Sequence, residues 1–379
     1  MQAESATVLV VQFHNNSKFS DLNWVGESAS ETLRSEFSGA HQIVFDRDSI
    51  SEAMRRLSIR TGADFTKATL IRLGQALGAD YICYGSYDAT LPPGDTQLKN
   101  SSVQLTAHYL DLRKLHQGPD LSEAGKLSDL SRLEEHLAWQ SLKYLAPNSN
   151  LPLEDFFTPS KFTRLDAEES YIRGLLSTSQ EQQQKWFMQA LALDPRFISP
   201  AFELGKVLVQ RKDYREALQW LGRVPEHDAR YADARFKMGL SAYAVGDYNA
   251  ASNYFRDVLK QFPMNEVYNN LGAAEAQLNM PAAAADFAHA VDGDPNDPTY
   301  LFNAGAALLR AGSFEEAARR LQTVVDRNAD DPEAQSLLDQ ARHHEHGEPG
   351  GKPLAAPRLK NDFDETAFRQ LKAMLQPRG

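Results

Sequence analysis

Histidines are the residues of this sequence whose spacing could support metal chemistry. His343, His344 and His346 stand close together, and neutral imidazole is a common ligand of zinc. Residues 347–351, rich in glycine and proline, follow them at once, which is typical of a flexible linker. Because a linker lacks the ordered hydrogen-bond partners that orient metal ligands, we interpret the three histidines as solvated and keep metal binding as the alternative.

Four residues of the first hundred lie where strands and helices meet. His14 follows the first predicted strand, a position at which α/β proteins often bind ligands, although a solvated loop histidine is the simpler interpretation. Trp24 and Gly26 begin a predicted helix. We expect Trp24 to fix this helix against a sheet and Gly26 to permit close approach, with surface recognition as the alternative. Asp80 precedes a strand and is expected to position the turn before it.

The sequence carries no common motif of an enzyme. It has no G-x-x-x-x-G-K-[ST] or G-x-G-x-x-G phosphate loop, no G-x-S-x-G elbow, no H-E-x-x-H pair and no EF-hand loop. We therefore predict a non-enzymatic protein that needs neither a cofactor nor a metal.

Composition and net charge disfavour several classes of partner and of structure. The net charge of −11 disfavours general binding to nucleic acid or to anionic lipid, because an acidic surface repels phosphate. Cys83 is the single cysteine, which excludes an internal disulfide, and its apolar neighbours predict a buried thiol. The sequence has no run of about 18 apolar residues, so no transmembrane segment is predicted.

An internal repeat organises the second half of the sequence. Its landmarks are a glycine preceded by leucine, methionine or alanine, and an alanine twelve residues later, in four successive units. The glycines are Gly205, Gly239, Gly272 and Gly305, at intervals of 34, 33 and 33 residues. Small residues let two antiparallel helices approach, and an aromatic residue after the turn (Tyr214, Tyr248, Phe314) begins the second helix. A period near 34 with this pattern resembles the tetratricopeptide repeat, a stack of helix pairs.

The repeats predict a concave groove lined by the first helix of each unit. By the usual geometry of the repeat, positions near each glycine face inward and supply the candidate partner-binding residues, with Arg310 at the rim of the groove. These are Phe202, Lys206, Phe236, Tyr243, Asn269, Phe302 and Arg310. The sequence predicts an apolar and aromatic groove with few fixed charges. Such a groove favours an amphipathic helix or an apolar extended peptide over a carboxylate-terminated ligand.

The first 150 residues are predicted to form an α/β or α+β domain. Strands are expected at 7–13, 42–45, 81–87 and 103–111, and helices at 24–37, from 49, at 70–77 and at 127–145. Interleaved strands and helices of this kind are typical of these two fold classes.

Short motifs in this region resemble the amino-terminal domain of TolB. They comprise residues 8–13, 16–17, 22–27, 46–47, 77–81 and Gly85, within a likeness that covers about residues 5–147. Similar domains occur in curli-secretion lipoproteins and in activators of penicillin-binding proteins. Residues 358–365 and 368–371 also resemble the tail of proteins that join such a domain to tetratricopeptide repeats. The resemblance implies a bacterial protein of the cell envelope.

Five segments are predicted along the chain. They are an α/β domain at 1–147, a connecting segment at 148–165, about five repeats with a capping helix at 166–342, a flexible linker at 343–357 and an amphipathic C-terminal helix within 358–379. Phe368, Leu371 and Leu375 line one face of that helix. A single helix of this length is marginal alone, and the repeat groove of the same chain is one predicted docking site.

The favoured hypothesis is a scaffold that binds a protein or peptide in the repeat groove, with the α/β domain as a second docking module in a bacterial envelope assembly. The alternative is a sensor whose N-terminal domain binds a small molecule near His14 to Lys18 and whose repeats relay the signal. The compartment is expected to be the periplasm if a signal peptide has been removed, and otherwise the cytoplasm.

Overall fold

The computed structural model describes residues 6–60, 65–148, 151–156, 162–344 and 355–375. Most of the predicted linker at 343–357, including His346, lies outside these residues. The chain divides into two compact units, Met1–Pro200 with Lys372–Gly379, and Ala201–Leu371. The division into five segments stays a prediction.

In its described residues, the first unit is built on a mixed sheet of six strands. The strands are β1 (Thr7–Val10), β2 (His14–Asn15), β3 (Ile43–Val44), β4 (Tyr81–Thr90), β5 (Ser102–Asp111) and β6 (His116–Lys126). Their order is β3-β1-β4-β5-β6, and β2 also pairs with β4. β3 and β4 run parallel to β1, β5 runs antiparallel to β4, and β6 runs antiparallel to β5. The predicted combination of an α/β domain and an all-α repeat region is confirmed.

Seventeen α-helices accompany the sheet within the described residues. Those before the repeats are α1 (Trp24–Gly39), α2 (Arg47–Arg56), α3 (Lys67–Leu77), α4 (Leu130–Leu145) and α5 (Leu153–Phe156). The helix pairs are α6 (Leu165–Leu176) with α7 (Gln180–Leu193), α8 (Ile198–Gln210) with α9 (Tyr214–Leu221), α10 (Tyr231–Ala244) with α11 (Tyr248–Gln261), α12 (Asn265–Gln277) with α13 (Ala283–Gly293), and α14 (Pro298–Arg310) with α15 (Phe314–Arg327). Two single helices follow, α16 (Pro332–Arg342) and α17 (Glu365–Leu375).

Strand β6 is an element that the sequence analysis did not predict. It pairs with β5 along most of its length, but its residues are mainly exposed or half-buried, because it lies at the edge of the sheet. It also contains Gly118 and Pro119, which are uncommon inside strands and weaken the sequence pattern. An edge strand without apolar alternation gives little signal in the sequence, and its partner strand determines its conformation.

Gly26 lies where α1 crosses the backbone at the end of β1. A Cβ atom at this position would lie 2.1 Å from the carbonyl oxygen of Phe13, whose own N–H donates to the Gly26 carbonyl at 3.2 Å. Trp24 is buried two residues earlier. The predicted close approach at Gly26 is confirmed.

We expect Gly26→Ala to destabilise the first unit by about 3 kcal/mol, because backbone atoms must move to admit the methyl group. Gly39→Ala is the matched control, since a Cβ there, in the same helix, meets nothing within 4 Å. The control should leave stability unchanged or raise it by up to about 1 kcal/mol. Calorimetric unfolding of both variants measures the difference, and equal midpoints would contradict the packing argument.

Each repeat glycine leaves space for a phenylalanine or leucine side chain from the second helix of the same pair. A Cβ on Gly239 would meet the ring of Phe255 at 2.5 Å, and one on Gly305 would meet Leu321 at 2.8 Å. Helices α9, α11 and α15 begin at the predicted aromatic residues Tyr214, Tyr248 and Phe314. The predicted pairing of helices therefore follows from the small residue at each crossing.

Candidate functional site

Three asparagines on the first helices of two neighbouring pairs are buried together. Asn269 and Asn270 lie on α12 and Asn303 lies on α14, and none is more than 2% exposed. Asn270 and Asn303 stand two residues before Gly272 and Gly305, so the repeat places them at equivalent positions. A buried amide needs hydrogen-bond partners, and residues 355–371, called the tail segment below, supply them.

Two of these asparagines each bind both backbone groups of one residue in the tail segment. Asn303 Nδ2 donates to the carbonyl of Arg358 at 2.7 Å, and its Oδ1 accepts from the Arg358 N–H at 2.8 Å. Asn270 makes the same pair of bonds to Lys360, both at 2.8 Å. The alternation of bound residues is that of an extended chain beside a strand, because residues i and i+2 face the same side.

Asn269 connects the two backbone clamps. Its Oδ1 accepts from Asn303 Nδ2 at 2.8 Å, and its Nδ2 donates to the Arg358 carbonyl at 2.9 Å and to Asn270 Oδ1 at 3.1 Å. Lys237, on α10 at the same repeat position as Asn270, donates to the carbonyl of Asn361 at 3.0 Å. First helices of three successive pairs therefore contact the tail segment, and we call this surface the first-helix face.

The guanidinium group of Arg358 contacts carboxylates through its N–H groups and an aromatic ring through its face. Its two terminal nitrogens donate to the two carboxylate oxygens of Asp331 at 2.7 Å, and Nη2 lies 3.4 Å from Glu333 Oε2. The guanidinium carbon lies 3.5 Å from the ring centroid of Phe302. Hydrogen bonding from Arg358 holds the pKa of the Asp331 carboxyl below its ordinary value. A planar cation is therefore recognised by paired oxygens and by an aromatic surface.

Charged groups complement each other along the rest of the tail segment. Lys360 makes an ion pair with Asp297, and its ammonium lies 5.0 Å from the ring centroid of Tyr300. Lys237 makes an ion pair with Asp362, so a basic residue faces the acidic position. Each of these charged side chains of the tail segment therefore meets a charge of opposite sign, which favours this register of the segment.

Aromatic side chains form the apolar end of the same surface. The ring centroid of Phe363 lies 4.3 Å from that of Phe236 and 4.5 Å from that of Phe368. The ring centroid of Phe368 lies 5.1 Å from that of Phe262. Phe363 and Phe368 are only 7% and 4% exposed. Asp364 Oδ1 accepts from the N–H of Ala367 at 2.9 Å and so caps the start of the C-terminal helix.

The seven residues predicted to bind a partner divide into two groups. Phe236, Asn269 and Phe302 come together around the tail segment. The other four contact residues of the repeats. Lys206 pairs with Glu203 and lies over Phe202, Gln277 donates to the Tyr243 hydroxyl, and Arg310 donates to Asn279. As partner-binding residues, all seven stay a prediction.

The expectation of an apolar groove with few fixed charges is wrong for the first-helix face. The missed residues are Asn270, Asn303, Asp297 and Asp331, which make most of its polar contacts to the tail segment. A signal existed in the sequence, since two asparagines recur at one offset from the repeat glycine. Leu375 also departs from the expected buried helix face, because it is 49% exposed.

The residues singled out in the first unit have mainly structural roles. Asp80 accepts a hydrogen bond from the Thr7 N–H at 2.9 Å, and so fixes the start of β1. Cys83 is fully buried, and burial raises its pKa to about 12, which makes the thiol unreactive. His14 is exposed and lies at a cavity of about 540 Å³, together with Asn15, Glu27 and Arg47.

Two buried glutamates face each other within the first unit. Glu134 on α4 and Glu168 on α6 are 1% and 5% exposed. The Ser28 hydroxyl donates to Glu168 Oε1 at 2.6 Å, and the Thr32 hydroxyl donates to Glu134 Oε2 at 2.9 Å. Burial raises the pKa of both carboxyls, and the charge of Glu168 raises that of Glu134 further. We call these four residues the carboxyl cluster.

No group of three or more His, Cys, Asp or Glu residues in the described part of the chain could hold a metal ion. No described helix is both long and apolar enough to cross a membrane. His346 of the predicted histidine trio lies outside the described residues.

Sequence comparison identifies the repeats. Two models of the tetratricopeptide repeat match, one at residues 236–298 and the other at residues 276–341. The tetratricopeptide repeats predicted from the sequence are therefore confirmed, and such repeats generally mediate contacts between proteins rather than catalysis. No curated protein matches the chain.

Several solved structures are similar to parts of this chain. The tetratricopeptide protein YrrB, described as having an unusual peptide-binding site, is 22% identical, with 47% of this chain and 92% of that chain covered and a TM-score of 0.40. PilF of Pseudomonas aeruginosa is 18% identical over 47% of this chain and 86% of its own, with a TM-score of 0.39. The C-terminal domain of LpoB from Salmonella enterica is 19% identical over 33% and 85%, with a TM-score of 0.28.

Proposed function

We propose that this protein is a scaffold whose first-helix face binds an extended peptide, and that the tail segment is the peptide it holds in this chain. The observation that carries the proposal is the pair of backbone clamps at Asn270 and Asn303. Each satisfies the N–H and the carbonyl of one peptide residue, as a neighbouring strand would. Backbone recognition of this kind gives affinity to any chain that can adopt the extended conformation.

The binding function is tested with a peptide in trans. The probe is a fluorescent peptide of residues 355–371. The protein is a full-length variant in which the same residues are replaced by a glycine–serine sequence of equal length. We expect micromolar affinity for this tail-replaced variant, and binding at least about 100-fold weaker to the natural chain, because a tethered segment competes at an effective concentration near millimolar. Fluorescence anisotropy measures both affinities.

This experiment tests two statements separately: that the first-helix face binds peptides, and that the tail segment occupies it in solution. If the peptide does not bind the tail-replaced variant, the first-helix face is not a peptide-binding surface. If it binds both proteins equally, the face binds peptides but the tail segment does not occupy it in solution. Circular dichroism of the tail-replaced variant provides the control that the repeats stay folded.

The resemblance of residues 5–147 to the amino-terminal domain of TolB supports a place for this scaffold in a bacterial envelope assembly. In that setting the α/β domain is a second docking module, and the seven predicted residues of the repeats belong to the partner-binding surface. Capture of partners from separate envelope and soluble fractions of a bacterial lysate tests the location.

A second candidate function is the sensing of a small molecule by the first unit. The cavity that includes His14 and Arg47 favours it, because it lies at the carboxyl end of β1. Strands β3 and β4 pair with opposite sides of β1, and α/β proteins bind ligands where the strand order reverses in this way. A rise in the unfolding midpoint of the first unit with a small molecule, lost in His14→Ala, would support this function.

A further inference from the structure

The side-chain contacts of the tail segment are as specific as its backbone contacts. Three positions are recognised by different chemistry: a guanidinium at 358, an ammonium at 360 and an aromatic ring at 363. The intervening side chain of Asn361 is exposed, although its carbonyl is bound. A surface that only covered a hydrophobic core would not need separate sites for two cations and a ring.

The site for Arg358 distinguishes arginine from lysine. Two parallel hydrogen bonds of 2.7 Å to Asp331 require the planar fork of a guanidinium, and stacking at 3.5 Å on Phe302 requires a flat cation. The side chain is 28% exposed, so the site is partly open to solvent.

The sites for residues 360 and 363 lie at fixed distances along the chain. Asp297 and Tyr300 bind an ammonium two residues after the arginine. Phe236 and its aromatic neighbours bind a ring three residues further on. Because the clamps at Asn270 and Asn303 fix the register, these spacings cannot slide by one residue without reversing the side chains.

We propose that the first-helix face selects partner proteins that carry an exposed segment with arginine at one position, lysine two residues later and phenylalanine three residues after the lysine. This inference rests on the proposed peptide-binding function and names the chemistry of the partner. The tail segment is a tethered competitor with the same pattern, so a partner segment binds by displacing it. Charge complementarity supports such an occupant, since Asp297, Asp331 and Glu333 present three carboxylates to the two basic positions.

The selectivity is tested with variants of the peptide of residues 355–371 on the tail-replaced protein. We expect Arg358→Ala, Lys360→Ala and Phe363→Ala each to weaken binding by about tenfold or more, as loss of a buried or ion-paired anchor does at interfaces. Arg358→Lys should also weaken it by several fold, because lysine cannot form the paired bonds. Thr366→Ala and Gln370→Ala are controls at exposed positions and should change affinity less than about twofold.

The outcomes separate this inference from the function on which it rests. Tight binding of the natural peptide with loss in the three alanine variants supports the pattern. Equal binding of all variants would overturn the pattern and leave a sequence-independent peptide-binding surface. Absence of binding by the natural peptide would remove the proposed function, and the inference with it.

Discussion

Replacing both Asn270 and Asn303 by alanine should release the tail segment from the repeats of the intact chain. Each asparagine loses two neutral hydrogen bonds to the tail, worth about 1 kcal/mol each, so the affinity for the peptide should fall by roughly 100-fold or more. Hydrogen exchange should accelerate at the amides of Arg358 and Lys360, which donate to the two asparagines. Exchange measured by mass spectrometry tests the full chain, and anisotropy tests the tail-replaced background.

Two further variants test whether the effect comes from the asparagine clamps themselves. Asn253→Ala changes an exposed asparagine on α11 and should leave both exchange and affinity unchanged. Asn303→Asp keeps an oxygen for the Arg358 N–H but removes the donor to its carbonyl, and so tests the clamp at nearly constant volume. If the double variant stays folded and the tail amides remain protected, the asparagines do not hold the segment and the clamp is disproved.

The elements predicted from the sequence are those whose ends are marked by residues close to each other in the chain. Helix α3 ends before Gly78, whose φ of 70° suits a left-handed cap, and three second helices begin at the aromatic residues Tyr214, Tyr248 and Phe314. The amphipathic period similarly located α1 to within two residues of its end. These signals lie within one or two helical turns, so they can be recognised without knowledge of the tertiary structure.

The clamp could not be assigned in this way, because it depends on residues far apart in the sequence. Asn303 binds a residue 55 positions later, and Asn270 binds one 90 positions later. The recurrence of asparagine before the repeat glycine was visible, but its partner was not. The helical pattern of the C-terminal residues predicted contacts for Phe368 and Leu371. The clamp contacts are made by Arg358 and Lys360, which precede the helix.

Glu134→Gln should raise the stability of the first unit at alkaline pH. Glu134 Oε1 and Glu168 Oε2 are buried without a hydrogen-bond partner among the described residues, which a proton shared between the two carboxyls would correct. Glutamine has nearly the same shape as protonated glutamate and is neutral at every pH. It can accept from Thr32 and donate to Glu168 without the cost of burying a second charge.

The direction of the pH dependence follows from the raised pKa of both carboxyls. In the unfolded chain a glutamate titrates near pH 4.3, whereas the folded cluster holds its proton to higher pH. The stabilisation is therefore complete below about pH 4 and is lost as the pH rises through the folded pKa values. Glu134→Gln should flatten this decline.

Calorimetry of the first unit at pH 5 and at pH 8.5 measures the effect. The midpoint of Glu134→Gln should exceed that of the natural protein by about 5 °C at pH 8.5, and by much less at pH 5. Glu169→Gln is the matched control, because this neighbour on α6 is 37% exposed and forms an ion pair with Arg173. Its midpoint should differ from that of the natural protein by about 1 °C or less. Equal pH profiles for Glu134→Gln and the natural protein would show that both buried carboxyls are ionised and separately stabilised, contrary to a shared proton.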